Sequence, residues 1–248
     1  MAPDHWFEAL ADHMGPAYLR YSFTKGTAQE VRFLVDALGL EPGMRVLDVG
    51  CGPGRHVNAL AALGIEAVGL DISQRFVDVG AAAGIAGASF VRGDARAMTF
   101  DAEFDAAISL CQGAFGLGGP ALTLDPFNFD NDAAVLDGIH RALRPGGRVA
   151  LTAFSSYFQV KWLEDHDRFD AATAVNHEPT EVRDETGRAV PADLWTTCYT
   201  PRELRLLAER CGFDVDAIWS VSPGEYARNA PDLDHHEFLV LAHRVAGA

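Results

Sequence analysis

Residues 48–54 read Asp-Val-Gly-Cys-Gly-Pro-Gly and follow a short apolar run, Arg45-Val46-Leu47. Glycines at this density allow a tight turn and let a ligand approach the backbone closely. A loop that opens a helix also offers unpaired N–H donors. The spacing is GxGxG, whereas dinucleotide loops use GxGxxG. Arg55 stands where the last glycine of that pattern would be, and its side chain would obstruct close packing on a sheet. Asp48 adds a sign to the site: a carboxylate there repels a pyrophosphate and attracts an ammonium or a sulfonium. Asp71 closes the next apolar run, where an acid can accept hydrogen bonds from ribose hydroxyls. Gly93-Asp94-Ala95 closes the third, where a side chain can reach an adenine amino group.

The elements that must position these residues alternate regularly. Strands are expected at 45–49, 65–70, 88–91, 104–110 and 148–154. Helices are expected at 53–63, 73–83 and 131–143, and Gly64 and Gly84 suit the stops of the first two. This alternation implies a parallel sheet covered by helices on both faces. Before it, Asp4 to about Thr27 mixes helix with irregular chain around Gly15-Pro16, and a helix capped by Thr27 runs to Gly39. After it, 155–197 breaks the rhythm. Asp184 to Gly187 is a turn signal between two segments that could be strands, 181–183 and 194–199. Thr200-Pro201-Arg202-Glu203 starts a last helix. Strands at 213–221 and 236–243, joined by a loop, should pair antiparallel. The expected fold is α/β and doubly wound, with a mostly parallel seven-stranded sheet whose last strand is antiparallel. Within one domain, 1–248, the expected parts are an N-terminal helical segment (1–40), a core (41–154), an inserted antiparallel cap (155–199) and a C-terminal helix and strand pair (200–248).

Val46 to Gly54 resembles the first motif of the class I S-adenosylmethionine-dependent methyltransferases. Asp71, Asp94 and Leu143-Arg144-Pro145-Gly146-Gly147 stand where that family's later motifs stand. The resemblance covers 45–154 and implies S-adenosylmethionine as cofactor. Gly50, Gly52 and Gly54 would lie along its amino-acid portion, Asp71 would hold the ribose and Asp94 the adenine. Asp48, Ile72, Ala95, Leu110 and Tyr21 complete the expected cofactor-binding set. Ribose recognition by Asp71 would serve a nicotinamide cofactor as well, so a nicotinamide-dependent oxidoreductase competes with this reading, as does an adenosylmethionine-binding protein without catalysis.

A narrower resemblance is to small-molecule methyltransferases related to glycine N-methyltransferase. It rests on the Ser109 to Gly116 loop, the cap after strand five and the Thr-Pro-Arg-Glu-Leu helix from Thr200. It implies that Tyr18, Tyr21 and Phe23 close over the cofactor from one side, and Tyr157, Trp162, His166, His177 and Trp195 from the other. Aromatic faces suit a sulfonium. Gln112, His177 and Tyr21 are the expected catalytic residues, with His177 as a general base. The Asn/Asp-Pro-Pro-aromatic motif of DNA and protein amide methyltransferases is absent after strand four, and Asp125-Pro126-Phe127 reads as a turn.

Composition narrows the partners. The formal net charge is −15, with no basic stripe, which disfavours nucleic acid. No apolar run is long enough to span a bilayer. The N-terminal residues do not read as a secretory signal, and Cys51, Cys111, Cys198 and Cys211 form no CxxC pair, so a cytoplasmic setting is expected. His235 and His236, adjacent on a strand, point to opposite faces, so no metal is expected. The expected partner is a small-molecule substrate, and a homodimer is the assembly held open.

Overall fold

The computed structural model describes residues 5–120 and 130–245. The expected turn at Asp125 to Phe127 lies outside them. The central sheet contains β1 (Arg45–Val49), β2 (Glu66–Asp71), β3 (Ala88–Arg92), β4 (Phe104–Ser109), β5 (Leu143–Ser155), β9 (Phe213–Ser222), β10 (Glu225–Asn229) and β11 (Glu237–Arg244). Their order is β10-β9-β11-β5-β4-β1-β2-β3. Strands β1 to β5 are parallel, and β11 lies antiparallel to both β5 and β9. The seven expected strands are present. The eighth, β10, is a polar strand that turns back on β9 after Pro223-Gly224. β1 pairs with β2 on one side and β4 on the other, so the strand order switches direction there and opens a crevice at the carboxyl ends.

Alternate residues of the central strands face opposite layers. Leu47, Val49, Val149 and Leu151 pack with Val135, Leu136 and Ile139 of α5 (Asp130–Ala142) and Leu204 and Leu207 of α7 (Pro201–Arg210). Val46, Ala106, Ile108 and Ala150 pack with Val31, Leu34 and Leu38 of α2 (Thr27–Leu38) and Val57 and Leu60 of α3 (Arg55–Ala61). Thr200 and Glu203 form the expected capping box on α7. Thr27 does not cap α2. It is the first helical residue, and its hydroxyl donates to the Thr24 carbonyl at 2.9 Å. Ser73 caps α4 (Gln74–Ala81).

The segment after β5 is more ordered than its sequence suggests. A short helix, α6 (Ser156–Lys161), precedes β6 (Arg168–Asp170) and a long hairpin of β7 (Val175–Arg183) and β8 (Ala189–Tyr199). The turn falls at Asp184, whose carboxylate accepts from the backbone N–H of Thr186 and Arg188 at 2.9 Å each. The base of β8 pairs with β5 at Phe154 and Ser155. The N-terminal helix α1 (Trp6–Met14) packs against the hairpin: the Trp6 ring meets Trp195 edge-on, with centroids 5.2 Å apart.

One buried carboxylate joins α2 to α3 and to the β9–β10 turn. Glu30 is fully buried; its Oε2 pairs with the Arg55 guanidinium and meets His56 Nε2 at 2.8 Å, while its Oε1 accepts from Gly224 N–H at 2.8 Å. Removing one partner of a buried ion pair strands the other. Glu30→Ala is therefore expected to cost about 3–5 kcal/mol of unfolding free energy. A loss below about 1 kcal/mol in urea titration would show that Arg55 is solvated without it.

Candidate cofactor and acceptor site

The carboxyl ends of β1, β2 and β4 open into two adjoining hollows that share Phe7, Gly50, Asp71, Gly113 and Leu117. The smaller one is lined by Ile72, Asp94, Ala95 and Arg96. The larger, about 760 Å³, continues over Gly52, Leu110 and Gln112 to the inner face of the β7–β8 hairpin.

Each part of the loop after β1 has a packing reason. Gly50 has φ +72°, and a Cβ on it would fall 2.0 Å from the Gly113 carbonyl. Only a bare backbone lets this loop cross the one after β4. Gly54 does not line either hollow. A Cβ there would sit 2.4 Å from the Phe90 ring, so its part is to bring α3 close to β3. Asp48 also lies outside both linings. It is 2% exposed, its Oδ2 lacks a hydrogen-bond partner, and burial pushes its carboxyl up to about 7.

Asp71 lines both hollows, and burial raises its carboxyl to about 6 against the opposing effect of its backbone donors. Its Oδ2 accepts from Gly52 N–H at 2.8 Å and its Oδ1 from Ser73 N–H at 2.9 Å. It therefore holds the glycine loop in shape as well as facing the crevice. Asp94 lines the smaller hollow, but Arg96 grips it with two nitrogens and holds its carboxyl below the ordinary range. An adenine amino group would have to share that carboxylate.

After β4 the backbone is strained. Cys111 and Gln112 have φ +51° and +57°, a region rarely adopted outside glycine. Thr152 Oγ1 accepts from Cys111 N–H at 2.8 Å, and Arg55 Nη2 reaches Cys111 Sγ at 3.0 Å. This arrangement places Gln112 in the larger hollow, where Tyr21 also lies. Arg55, noted in the sequence only as an obstruction, turns away from the sheet and lines the same hollow.

His177 is not brought to the site. It is directly opposite Trp195 in the hairpin, stacks on that ring at 5.4 Å, and meets Asp193 Oδ1 at 2.7 Å. Strand alternation sends Glu178, Thr180 and Val182 inward instead, with Leu194 opposite Glu178 and Thr196 two residues further along β8. Tyr157, Trp162 and His166 are likewise outside the lining, with Tyr157 and Trp162 exposed. The expected aromatics on the other side, Tyr18, Tyr21 and Phe23, do line it, joined by Trp6 and Phe7. His235 pairs with Asp232 and His236 with Ser222, and among the described residues no three His, Cys, Asp or Glu side chains form a metal-binding group. Sequence reasoning missed Glu178, His236 and Glu237 as lining residues.

A methyltransferase-domain family model matches residues 46–147, the span from β1 to the start of β5. The cypemycin N-terminal methyltransferase of a Streptomyces species is 34% identical over 225 residues, covering 82% of this chain and 84% of that protein. The demethylmenaquinone methyltransferase of Renibacterium salmoninarum is 34% identical over 125 residues, and the chain spans about half of its length (47%). Among solved structures, the CcbJ methyltransferase of Streptomyces caelestis superposes with a TM-score of 0.72 at 17% identity, covering 98% of each chain. A likeness of that kind speaks to the fold, while the cypemycin relative carries the family along nearly the whole chain. The crevice at the β1–β4 switch, the ordered motifs around it and these likenesses place the chain in the class I S-adenosylmethionine-dependent methyltransferases, and not among nicotinamide-dependent oxidoreductases.

Proposed function

We propose that this chain transfers a methyl group from S-adenosylmethionine to a nucleophilic atom of a small molecule held beneath the β7–β8 hairpin. The observation that carries this reading is the continuity of the larger hollow: one space of about 760 Å³ runs from Gly50, Gly52 and Asp71 to Glu178, Thr180 and Thr196. Both ends of a transfer reaction fit in it.

When bound, the cofactor supplies an electrophilic methyl on a sulfonium cation. Gly50 and Gly52 would admit its amino-acid portion, and Asp71, Ile72 and Ala95 would flank the nucleoside. Tyr18, Tyr21 and Phe23 would face the cation. The residues' main contribution is to hold two reactants in line and exclude others from the space. Relatives' names differ on the acceptor: one names demethylmenaquinone and one the N-terminus of cypemycin. The hairpin and the segment of residues 155–199 around it are proposed as the cap that closes over the acceptor.

Asp48 and Asp71, raised by burial to about 7 and 6, bind protons in the folded chain that the unfolded chain has released. A carboxyl whose folded pKa is raised contributes stability at low pH and loses it as pH rises through the folded value. His5, His56, His140 and His236, lowered by burial, act in the opposite direction at the acid end of the range, and they cancel in the difference between wild type and Asp48→Asn. Between pH 5.5 and 8.5 the melting temperature of ligand-free wild type is expected to fall relative to that of Asp48→Asn, and a difference that does not change with pH would contradict the raised Asp48 carboxyl.

Calorimetric titration should find micromolar binding of S-adenosylmethionine and adenosylhomocysteine, and no comparable binding of NAD or NADP. Asp71→Ala is expected to weaken adenosylhomocysteine binding by about 1–3 kcal/mol. Because Asp71 also satisfies two backbone donors, the unliganded variant should lose stability too. Unchanged affinity in Asp71→Ala would remove this residue from the cofactor site.

A further inference from the structure

Glu237 opens β11, and the residues after it are apolar: Phe238, Leu239, Val240, Leu241 and Ala242, all buried. Glu237 itself is 3% exposed, paired in register with Phe154 on one side and Val221 on the other. Its packing supplies one side-chain hydrogen bond, with Thr152 on β5, which opposes the effect of burial. An acid placed there costs free energy unless a partner compensates it, and its Oε2 has no hydrogen-bond partner. It lines the larger hollow near the strained Cys111-Gln112 loop, so the partner it lacks can be a ligand.

The charges around it point to the sign of that ligand. Arg55 is the cation facing Glu237 from α3, but it is already committed to Glu30 on α2. Glu178 from β7 and Glu225 from β10 line the same space, as does the exposed Glu181. His236, beside Glu237 on β11, is held below its ordinary value by burial, and so is His56 on α3, which leaves both neutral near pH 7. Cys111, Tyr18 and Tyr226 complete the neighbouring titratable groups, all pushed up by burial and so uncharged. The acceptor end thus holds carboxyls without a free cation among the described residues.

Resting on the methyl-transfer reading above, we propose that the acceptor is an amine that enters as its ammonium, and that Glu237 is the carboxylate that pairs with it and takes its proton. In that step one N–H bond breaks and the proton moves to the Glu237 carboxylate. The electron pair of that bond stays on nitrogen as the lone pair a nucleophile needs. Atoms and charge balance: an ammonium and a carboxylate become an amine and a carboxylic acid. The Glu237 carboxyl, raised to about 8 by burial and by Glu30, is mostly protonated at pH 7 when the site is empty. Pairing with an ammonium must therefore expel that proton to solvent.

The probes are benzylamine and tryptamine, with benzyl alcohol and tryptophol as neutral isosteres. Each is titrated calorimetrically into protein saturated with adenosylhomocysteine, in buffers of different ionisation enthalpy. The expected result is that an amine binds at least tenfold tighter than its alcohol and releases close to one proton at pH 7, falling towards none at pH 9. Glu237→Gln should bind adenosylhomocysteine as wild type does, which shows that it is folded, and should lose both the preference and the release. Amines that do not bind, that bind no better than the alcohols, that release no proton, or that behave the same in Glu237→Gln would overturn the assignment. Failure of wild type to bind adenosylhomocysteine would instead strike the methyl-transfer reading itself.

Discussion

The site is organised by a single buried charge. Glu30 sits on α2, outside the βα alternation, yet it holds Arg55 and His56 at the start of the helix that follows the glycine loop. Burial alone would raise its carboxyl, but the His56 hydrogen bond and the Arg55 guanidinium outweigh that and hold it below the ordinary carboxylate range. It is the ionised partner that lets Arg55 stay charged in the interior. Arg55 then reaches Cys111 after β4, and Glu30 accepts from Gly224 at the β9–β10 turn. Four segments distant in sequence are thus locked at one point, and the loops that frame the crevice inherit their positions from it. Such a network constrains geometry more than it adds net stability, since desolvating the charges offsets much of their attraction.

With Arg55 committed to Glu30, Asp71 and Glu237 line the crevice without a free cation beside them among the described residues, while Asp48 is buried outside both linings. Asp48 and Glu237 each keep an oxygen without a hydrogen-bond partner. Asp71 is different, because two backbone N–H groups satisfy it from within. Asp71 shapes the loop whether or not a ligand is present, whereas Asp48 and Glu237 keep capacity that the protein itself does not use. An acid held in this way gains most from a positive neighbour, because its cost falls as the neighbour's field restores the charged form.

Much of this was legible from residue order, and the exceptions have identifiable causes. The central strands from Arg45 to Ser155 are short continuous apolar runs, buried on both faces, and the helices between them follow a period of 3.6 closed by glycines, which local chemistry suffices to specify. The hairpin was read too short because Pro179 and Pro191 interrupt its strands, and proline argues against a strand interior. β10 was missed because Glu225-Tyr226-Ala227-Arg228-Asn229 carries no alternation strong enough to distinguish it from a loop. The error at His177 is one of phase. A histidine in a polar, aromatic stretch reads as a base, but strand alternation decides whether it faces in or out, and that phase is set by where β8 joins β5. The acids at the far end, Glu178 and Glu237, stand in runs that suggest exposure or a metal pair, and only the half-burial of the one and the full burial of the other separate them from surface carboxylates.

The two halves of the crevice are built from different material, and this bears on how such a chain can change its acceptor. Gly50, Gly52 and Asp71 lie on the rigid central strands and the turns directly after them, where any shift must carry the whole sheet. The proposed acceptor half is lined by the β7–β8 hairpin and the N-terminal aromatics, the hairpin joining the central sheet where β8 pairs with β5 at Phe154 and Ser155, and by Glu237 at the start of β11, an interior strand paired on both sides. Side chains on those elements can be exchanged without disturbing the turn that receives the cofactor. A relative that shares the first half and differs in the second keeps the same methyl source while meeting a different nucleophile. It follows that the motifs around Gly50 identify the donor chemistry, and that the acceptor must be sought in residues that no motif contains, with Glu237 and its unpartnered Oε2 the most informative of them.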